Sequence, residues 1–209
     1  MLEEECARRF GASPLPAVQL QARQLAWRLG LFARVQANRT ASGWRIEHAE
    51  WQPKGVTLSV DGQEVPLTGS VDRIDRHTSG RWAILDYKFS ESPTTPEKAH
   101  RRGETWKNVQ LPLYAHLARE VIGDDVPEMG YFNLSATEAD CKVEVARTWK
   151  DSFVDDALEV AREVIREVRA QLGRPEPEFP MGNPVVYDLI TANVCGDTLM
   201  SQASAGGEE

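Results

Sequence analysis

The stretch from Leu67 to Phe89, LTGSVDRIDRHTSGRWAILDYKF, brings two acids and a lysine to one spot when it folds as a hairpin. Side chains alternate faces along a strand, so in Trp82 to Phe89 the side chains of Asp86 and Lys88 point the same way, about 7 Å apart. A three-residue loop of Thr78, Ser79 and Gly80, with Gly80 in the left-handed conformation that closes such loops, centres the hairpin on Ser79. That register sets Asp72 opposite Asp86. Like charges directly across a strand pair are destabilising, so the two acids call for a neutralising partner. A hard divalent cation is the natural one: Mg²⁺ is usually held by one or two carboxylates, with water and phosphate oxygens completing its octahedron. Lys88 can then hold an attacking water or stabilise a pentavalent phosphorane, and the constellation is equipment for metal-assisted phosphodiester cleavage. An isolated Asp-x-Lys is more often a solvated ion pair. Here the apolar Ala83, Ile84 and Leu85 put the pair at the end of a buried strand.

Three motifs stand in order along the chain: Gly69-Ser-Val-Asp72-Arg-Ile-Asp75, Asp86-Tyr-Lys88, and Gln110-Leu-Pro-Leu-Tyr114. In this order and spacing they resemble the PD-(D/E)XK nuclease superfamily over residues 44 to 118, nearest the nuclease domain of the RecB/AddB-type recombination helicase-nucleases. The resemblance implies a metal ligand at Asp72, a second at Asp86, the conserved lysine at Lys88, and a downstream helical motif at Gln110 and Tyr114 that meets the active site or the DNA backbone. Residues four apart on a helix share a face, so Gln110 and Tyr114 point together. Pro112 is tolerated if the helix starts near Val109 to Leu111, where amides have no partner to lose. The family also places an acid on the preceding strand. Trp44 to Trp51 offers Glu47 and Glu50 on opposite faces, and Glu50, an acid followed by a bulky residue, is favoured as the third metal ligand. Many relatives carry a histidine on an upstream helix; here His48, His77, His100 and His116 all come later.

The resemblance further implies a Mg²⁺-dependent DNA nuclease, with Mn²⁺ as a substitute. It would be an exonuclease or the nuclease domain of a DNA repair or recombination complex, with a helicase or other recombination subunit as partner. The alternatives are a nuclease-fold module that binds DNA or a partner without cutting, and a hydrolase of some other phosphoester. Some relatives hold an iron-sulfur cluster with four cysteines. Cys6, Cys141 and Cys195 cannot supply that set, so no cluster is expected.

The 209 residues suffice for one well-buried α/β domain. A net charge of −8 argues against attraction of nucleic acid to the whole surface. Local positive charge matters more, and Lys98, His100, Arg101, Arg102 and Lys107 form a basic run. With Trp106 beside it for base stacking, this run is the expected DNA contact, joined by Arg73 in the second motif. Three widely spaced cysteines point to a reducing compartment. No export signal or apolar run of ~18 residues is present, so a cytoplasmic protein without membrane insertion is expected.

The elements that must position these residues follow from periodicity. Val18, Ala22, Leu25, Leu29 and Phe32 predict a helix over Pro16 to Asn38 covering one sheet face. Strands are predicted at 44–51, 55–60, 66–76, 81–89, 129–134 and 142–146, with Asp61-Gly62 as a tight turn. Phe153, Ala157, Val160, Val164, Val168 and Leu172 predict a long amphipathic helix capped by Asp151 or Ser152 and ended by Gly173. The domain is expected to span residues 1–173, with a proline-rich extended arm and disordered tail over 174–209. This order predicts a restriction-endonuclease-like three-layer α/β core, a mixed sheet flanked by helices, and not a doubly wound sheet. Without a Walker loop, no ATP-driven motor is expected in the chain, which reads as an excised domain or a stand-alone gene.

Overall fold

A computed structural model describes residues 2–89, 93–149 and 152–172. The expected arm and tail, the Gly173 stop, the Asp151 cap and Cys195 lie outside the described residues. The elements in chain order are α1 (Leu2–Phe10), α2 (Pro16–Ala41), β1 (Trp44–Trp51), β2 (Thr57–Val60), β3 (Gln63–Pro66), β4 (Val71–His77), β5 (Trp82–Lys88), α3 (Pro96–His100), β6 (Arg101–Arg102), β7 (Thr105–Trp106), α4 (Gln110–Leu117), α5 (Arg119–Ile122), β8 (Glu128–Asn133), β9 (Lys142–Val145) and α6 (Phe153–Leu172).

Five strands form one mixed sheet in the order β1-β4-β5-β8-β9. Only the β5–β8 pair is parallel. A parallel neighbour cannot be reached by a tight turn, so the chain leaves the end of β5, crosses one sheet face through α3 and α4, and re-enters at β8. The sheet has helices on both faces, which makes the three-layer, restriction-endonuclease-like fold. On one face Phe32 of α2 meets Phe132 and Tyr87, with ring centroids 4.7 and 5.9 Å away. On the other, Ile74, Ile84, Met129 and Tyr131 pack with Leu111 and Leu113 of α4 and with Leu158, Ala161 and Ile165 of α6. β8 pairs with β9 at Gly130, where an added Cβ would stand 2.5 Å from the Glu144 carbonyl oxygen.

The β2–β3 hairpin lies apart from the sheet, against α6. Its turn is Asp61-Gly62 as expected, with both residues left-handed at φ 54° and 78°. Arg166 of α6 pairs with Asp61 at 3.0 Å, and Arg162 donates to the Ser59 carbonyl.

Several expectations shift. The strand predicted at 66–76 divides into β3 and β4, because Leu67 turns inward to bond the Val56 carbonyl and bury its side chain. The buried stripe of α2 includes Arg28 and Leu31, leaving Leu29 exposed; the Arg28 guanidinium donates to the Leu134 carbonyl and covers the Phe89 ring. The basic run, for which no element was predicted, lies on a short helix and a two-stranded hairpin. Periodicity needs more residues than these elements contain, and α1 and α5 escaped it too.

Candidate active site

The site is built on the β4–β5 hairpin. Gly80 is left-handed at φ 93°, and the His77 N–H meets the Arg81 carbonyl across the three-residue loop. The pairs Ile74↔Ile84 and Arg73↔Leu85 carry the register centred on Ser79, and one further step sets Asp72 opposite Asp86. At that step the Tyr87 N–H donates to Asp72 Oδ2 at 3.1 Å, a side chain standing in for the ladder's next carbonyl.

Asp86 is nearly sealed from solvent, with 3 % of its surface exposed. Burial pushes its carboxyl above the usual range; Lys88 opposes that shift and Asp72 reinforces it. Lys88 Nζ lies 2.7 Å from Asp86 Oδ2. The approach is an ion pair, and among the described residues Oδ2 accepts no aligned bond. A buried carboxylate oxygen left in this state has capacity for a further positive partner.

From Lys88 a chain of polar contacts runs into α4. Lys88 Nζ donates to Gln110 Oε1 at 3.4 Å, and Gln110 Nε2 donates to the Tyr114 hydroxyl oxygen at 3.0 Å. The two contacts fix the amide's orientation and leave the phenol proton free to donate elsewhere. Tyr114 is kept firmly protonated by burial first, then by the negative charges of Asp72, Asp86 and Glu50. The helix starts at Gln110, as Pro112 requires, and its first N–H is capped by Asn108 Oδ1 at 2.7 Å.

Glu50 reaches the site's electrostatics without closing it. A register shift between Ile46 and His48 makes the Glu47 region a bulge, after which Ala49↔Arg73 and Trp51↔Val71 put Glu50 level with Asp72. Glu50 is left-handed at φ 50°, a strained setting for a residue with a Cβ, and its carboxylate takes the Ser70 hydroxyl at 3.4 Å. Among the described residues no group of three or more histidine, cysteine or acidic side chains is gathered to hold a metal ion. The facing pair of Asp72 and Asp86 nevertheless fits a hard divalent cation of the Mg²⁺ kind, which needs one or two carboxylates. Asp86 Oδ2, buried and without an aligned donor, is the observation that supports the fit.

The expected nucleic-acid contacts are not all on the surface. Arg73 is fully buried on the opposite sheet face, where Nε and Nη2 clamp the two Asp75 oxygens at 2.6 and 2.8 Å. Its expected role is corrected: alternation from Asp72 turns it inward, away from phosphate. Trp106 is likewise interior, edge-on to Trp149 and Phe153 with centroids 5.5 and 6.0 Å away, and has no open face for a base. His100 is buried and held neutral, with its pKa lowered to about 4 by burial. Arg101, Arg102 and Lys107 remain at or near the surface. Arg101 rests its guanidinium over Phe153 and Trp106 and donates to the Glu104 carbonyl. Sequence reasoning missed Tyr131 and Asn133, and placed His100 in the basic run instead of behind Lys88. The signal was the parallel pairing Lys88↔Asn133, invisible until β8 is placed beside β5.

The sequence model of the PD-(D/E)XK nuclease superfamily matches residues 1–180. No curated protein matches the chain.

Proposed function

The chain belongs to the PD-(D/E)XK nuclease superfamily, and within it we propose a Mg²⁺-dependent deoxyribonuclease that hydrolyses phosphodiester bonds. The observation that carries the proposal is the facing of Asp72 and Asp86 beside Lys88, 2.7 Å from Asp86, with Gln110 and Tyr114 completing a polar chain. Asp72 and Asp86 would hold the cation, with Glu50, level with Asp72, as the third ligand. The bound ion supplies Lewis acidity and a water of lowered pKa. Lys88 holds the water nucleophile and offsets charge on the phosphoryl oxygens, while Gln110 fixes Lys88 and the Tyr114 hydroxyl gives a hydrogen bond to substrate. Arg101, Arg102 and Lys107 on the β6–β7 hairpin are the proposed phosphate contacts.

The likeness to RecB/AddB-type nuclease domains supports exonucleolytic action with 5′-phosphate products, a repair or recombination setting, a helicase-type partner and a cytoplasmic location. Among the described residues, Cys6 and Cys141 are free, and no helix is long and apolar enough to cross a membrane. Linear single- and double-stranded DNA incubated with Mg²⁺ or Mn²⁺ tests the reading. Cleavage is expected from the native chain and not from Lys88→Ala; no cleavage, or equal cleavage by the variant, overturns it. The ungathered third acid favours a second reading, a DNA-binding module that does not cut. Calorimetric Mn²⁺ titration separates the two: a metal site that vanishes in Asp86→Ala supports the enzyme.

A further inference from the structure

Lys88 has three N–H donors. Asp86 and Gln110 engage its front, and its ammonium also stands 5.1 Å from the centre of the Tyr131 ring. Two side chains on that side of the sheet are fully interior and incompletely bonded. His100 stacks on the same Tyr131 ring, with centroids 5.7 Å apart, and is 0 % exposed. Its Nδ1 lies 2.8 Å from the Asn108 carbonyl, which can only accept, so Nδ1 carries the proton and Nε2 is a bare acceptor. Among the described residues that Nε2 has no partner. Asn133 is the parallel neighbour of Lys88 on β8, and Phe132 before it faces α2. Alternation therefore turns Asn133 to the side of Tyr131 and Lys88. It is 1 % exposed, and among the described residues neither its Oδ1 nor its Nδ2 has a partner.

Orphaned polar atoms this deeply buried are rare, and clustered ones are where proteins keep ordered water. We propose that His100 and Asn133 are positioning residues for Lys88 and hold a buried water against its ammonium. The water's own bonds are three: it gives its two O–H groups to His100 Nε2 and Asn133 Oδ1 and accepts from Lys88 Nζ, with Asn133 Nδ2 outside this set. Burial keeps His100 in the neutral form this role requires, and the charge of Lys88 acts in the same direction. The water fixes the rear of the ammonium as Asp86 and Gln110 fix its front. The inference rests on the reading of Lys88 as the lysine of the site.

A high-resolution crystal structure of the full chain is the direct test. A water in hydrogen-bond reach of His100 Nε2, Asn133 Oδ1 and Lys88 Nζ is expected; a dry site, or a water that does not touch Lys88, overturns the proposal. Asn133→Leu, which keeps size and removes the acceptor, is expected to slow single-turnover cleavage about tenfold at unchanged DNA affinity and melting temperature; His100→Phe is expected to slow it as much and, having also lost the Nδ1 bond to the Asn108 carbonyl, to melt lower. His100→Gln returns an acceptor and most of the rate. Because both residues act through one water, the double variant is expected to be no slower than the worse single. Additive losses, or a loss in Asn133→Leu that tracks melting temperature, argue for a structural role and sink the idea. If the native chain cuts no DNA under any metal, the nuclease reading fails on its own. The water, and displacement of Lys88 in crystals of His100→Phe, still decide the positioning claim.

Discussion

The two faces of the β4–β5 hairpin use the same kinds of side chain and treat them in opposite ways. On the α2 face, Asp75 is held by two guanidiniums: Arg73 takes both oxygens and Arg39 bonds Oδ2 at 2.7 Å. Every oxygen of that buried acid is satisfied. On the α4 face, Asp72 and Asp86 confront one another with Lys88 as their cation, and Glu50 adds negative charge nearby. Arg73 and Asp72 are adjacent in sequence and lie on different sides of the sheet. The first face closes its electrostatics within the protein and the second leaves them open. An interior salt bridge needs its full complement of partners, whereas a site for a cation and a phosphate has to remain short of positive charge until they arrive.

That contrast can be broken from either side. The largest effect is expected on the open face: Lys88→Ala or Asp86→Asn should lower the cleavage rate by about a thousandfold with the fold intact by circular dichroism. On the closed face, Asp75→Ala leaves Arg73 and Arg39 without their shared counter-ion, and should cost about 3–5 kcal/mol in urea denaturation. Equal loss of stability from Asp86→Asn and Asp75→Ala would abolish the distinction between the faces.

The next effects concern pH and metal. The folded carboxyl of Asp86 is raised, mainly by burial, so its ionisation costs stability as pH rises above the unfolded value near 3.8 and through the folded value. Metal-free Asp86→Asn should therefore melt a few degrees above the native chain at pH 7 and match it at the acid end. Added Mg²⁺ should narrow or reverse the gap, since only the native carboxylate gains a ligand. His100 acts in the other direction. Its folded pKa is lowered from 6.5 to about 4, so the unfolded chain takes the proton first and stability falls as pH drops through that window. His100→Phe should flatten that acid slope in thermal melts.

The smallest effects lie at the edges of the site. Glu50→Ala should slow cleavage about tenfold and Glu47→Ala should leave it unchanged, since only Glu50 is level with Asp72. Alanine at Arg102 or Lys107 should weaken DNA binding evenly across sequences. It should also reduce the salt slope of log K by about 0.9 for each phosphate that the variant no longer neutralises.

Much of this is legible in the sequence because the hairpin is governed by local rules. A strand period of two and a three-residue loop closed by Gly80 suffice to put Asp72 across from Asp86. The long apolar stripe of α6 and the paired spacing of Gln110 and Tyr114 are equally local. What escapes the sequence depends on neighbours far along the chain. Arg73 reads as a basic residue beside a nuclease motif until Asp75 and Arg39 are seen to enclose it. His100 reads as a member of a basic run, and Trp106 as its stacking partner, until Trp149, Phe153 and Tyr131 supply an interior for them. The bulge near Glu47 and the left-handed Glu50 depart from alternation, and alternation is the rule that sets the two glutamates on opposite faces.

The register of this hairpin also limits how the chain can vary in length. Extra residues at the tip, between Thr78 and Gly80, lie beyond the last pair and leave both faces as they are. A single insertion between Val71 and His77 would exchange them, carrying Arg73 into the acidic pocket and an aspartate under α2. Homologous hairpins should therefore differ freely in loop length, while within the strands length changes should survive only in twos.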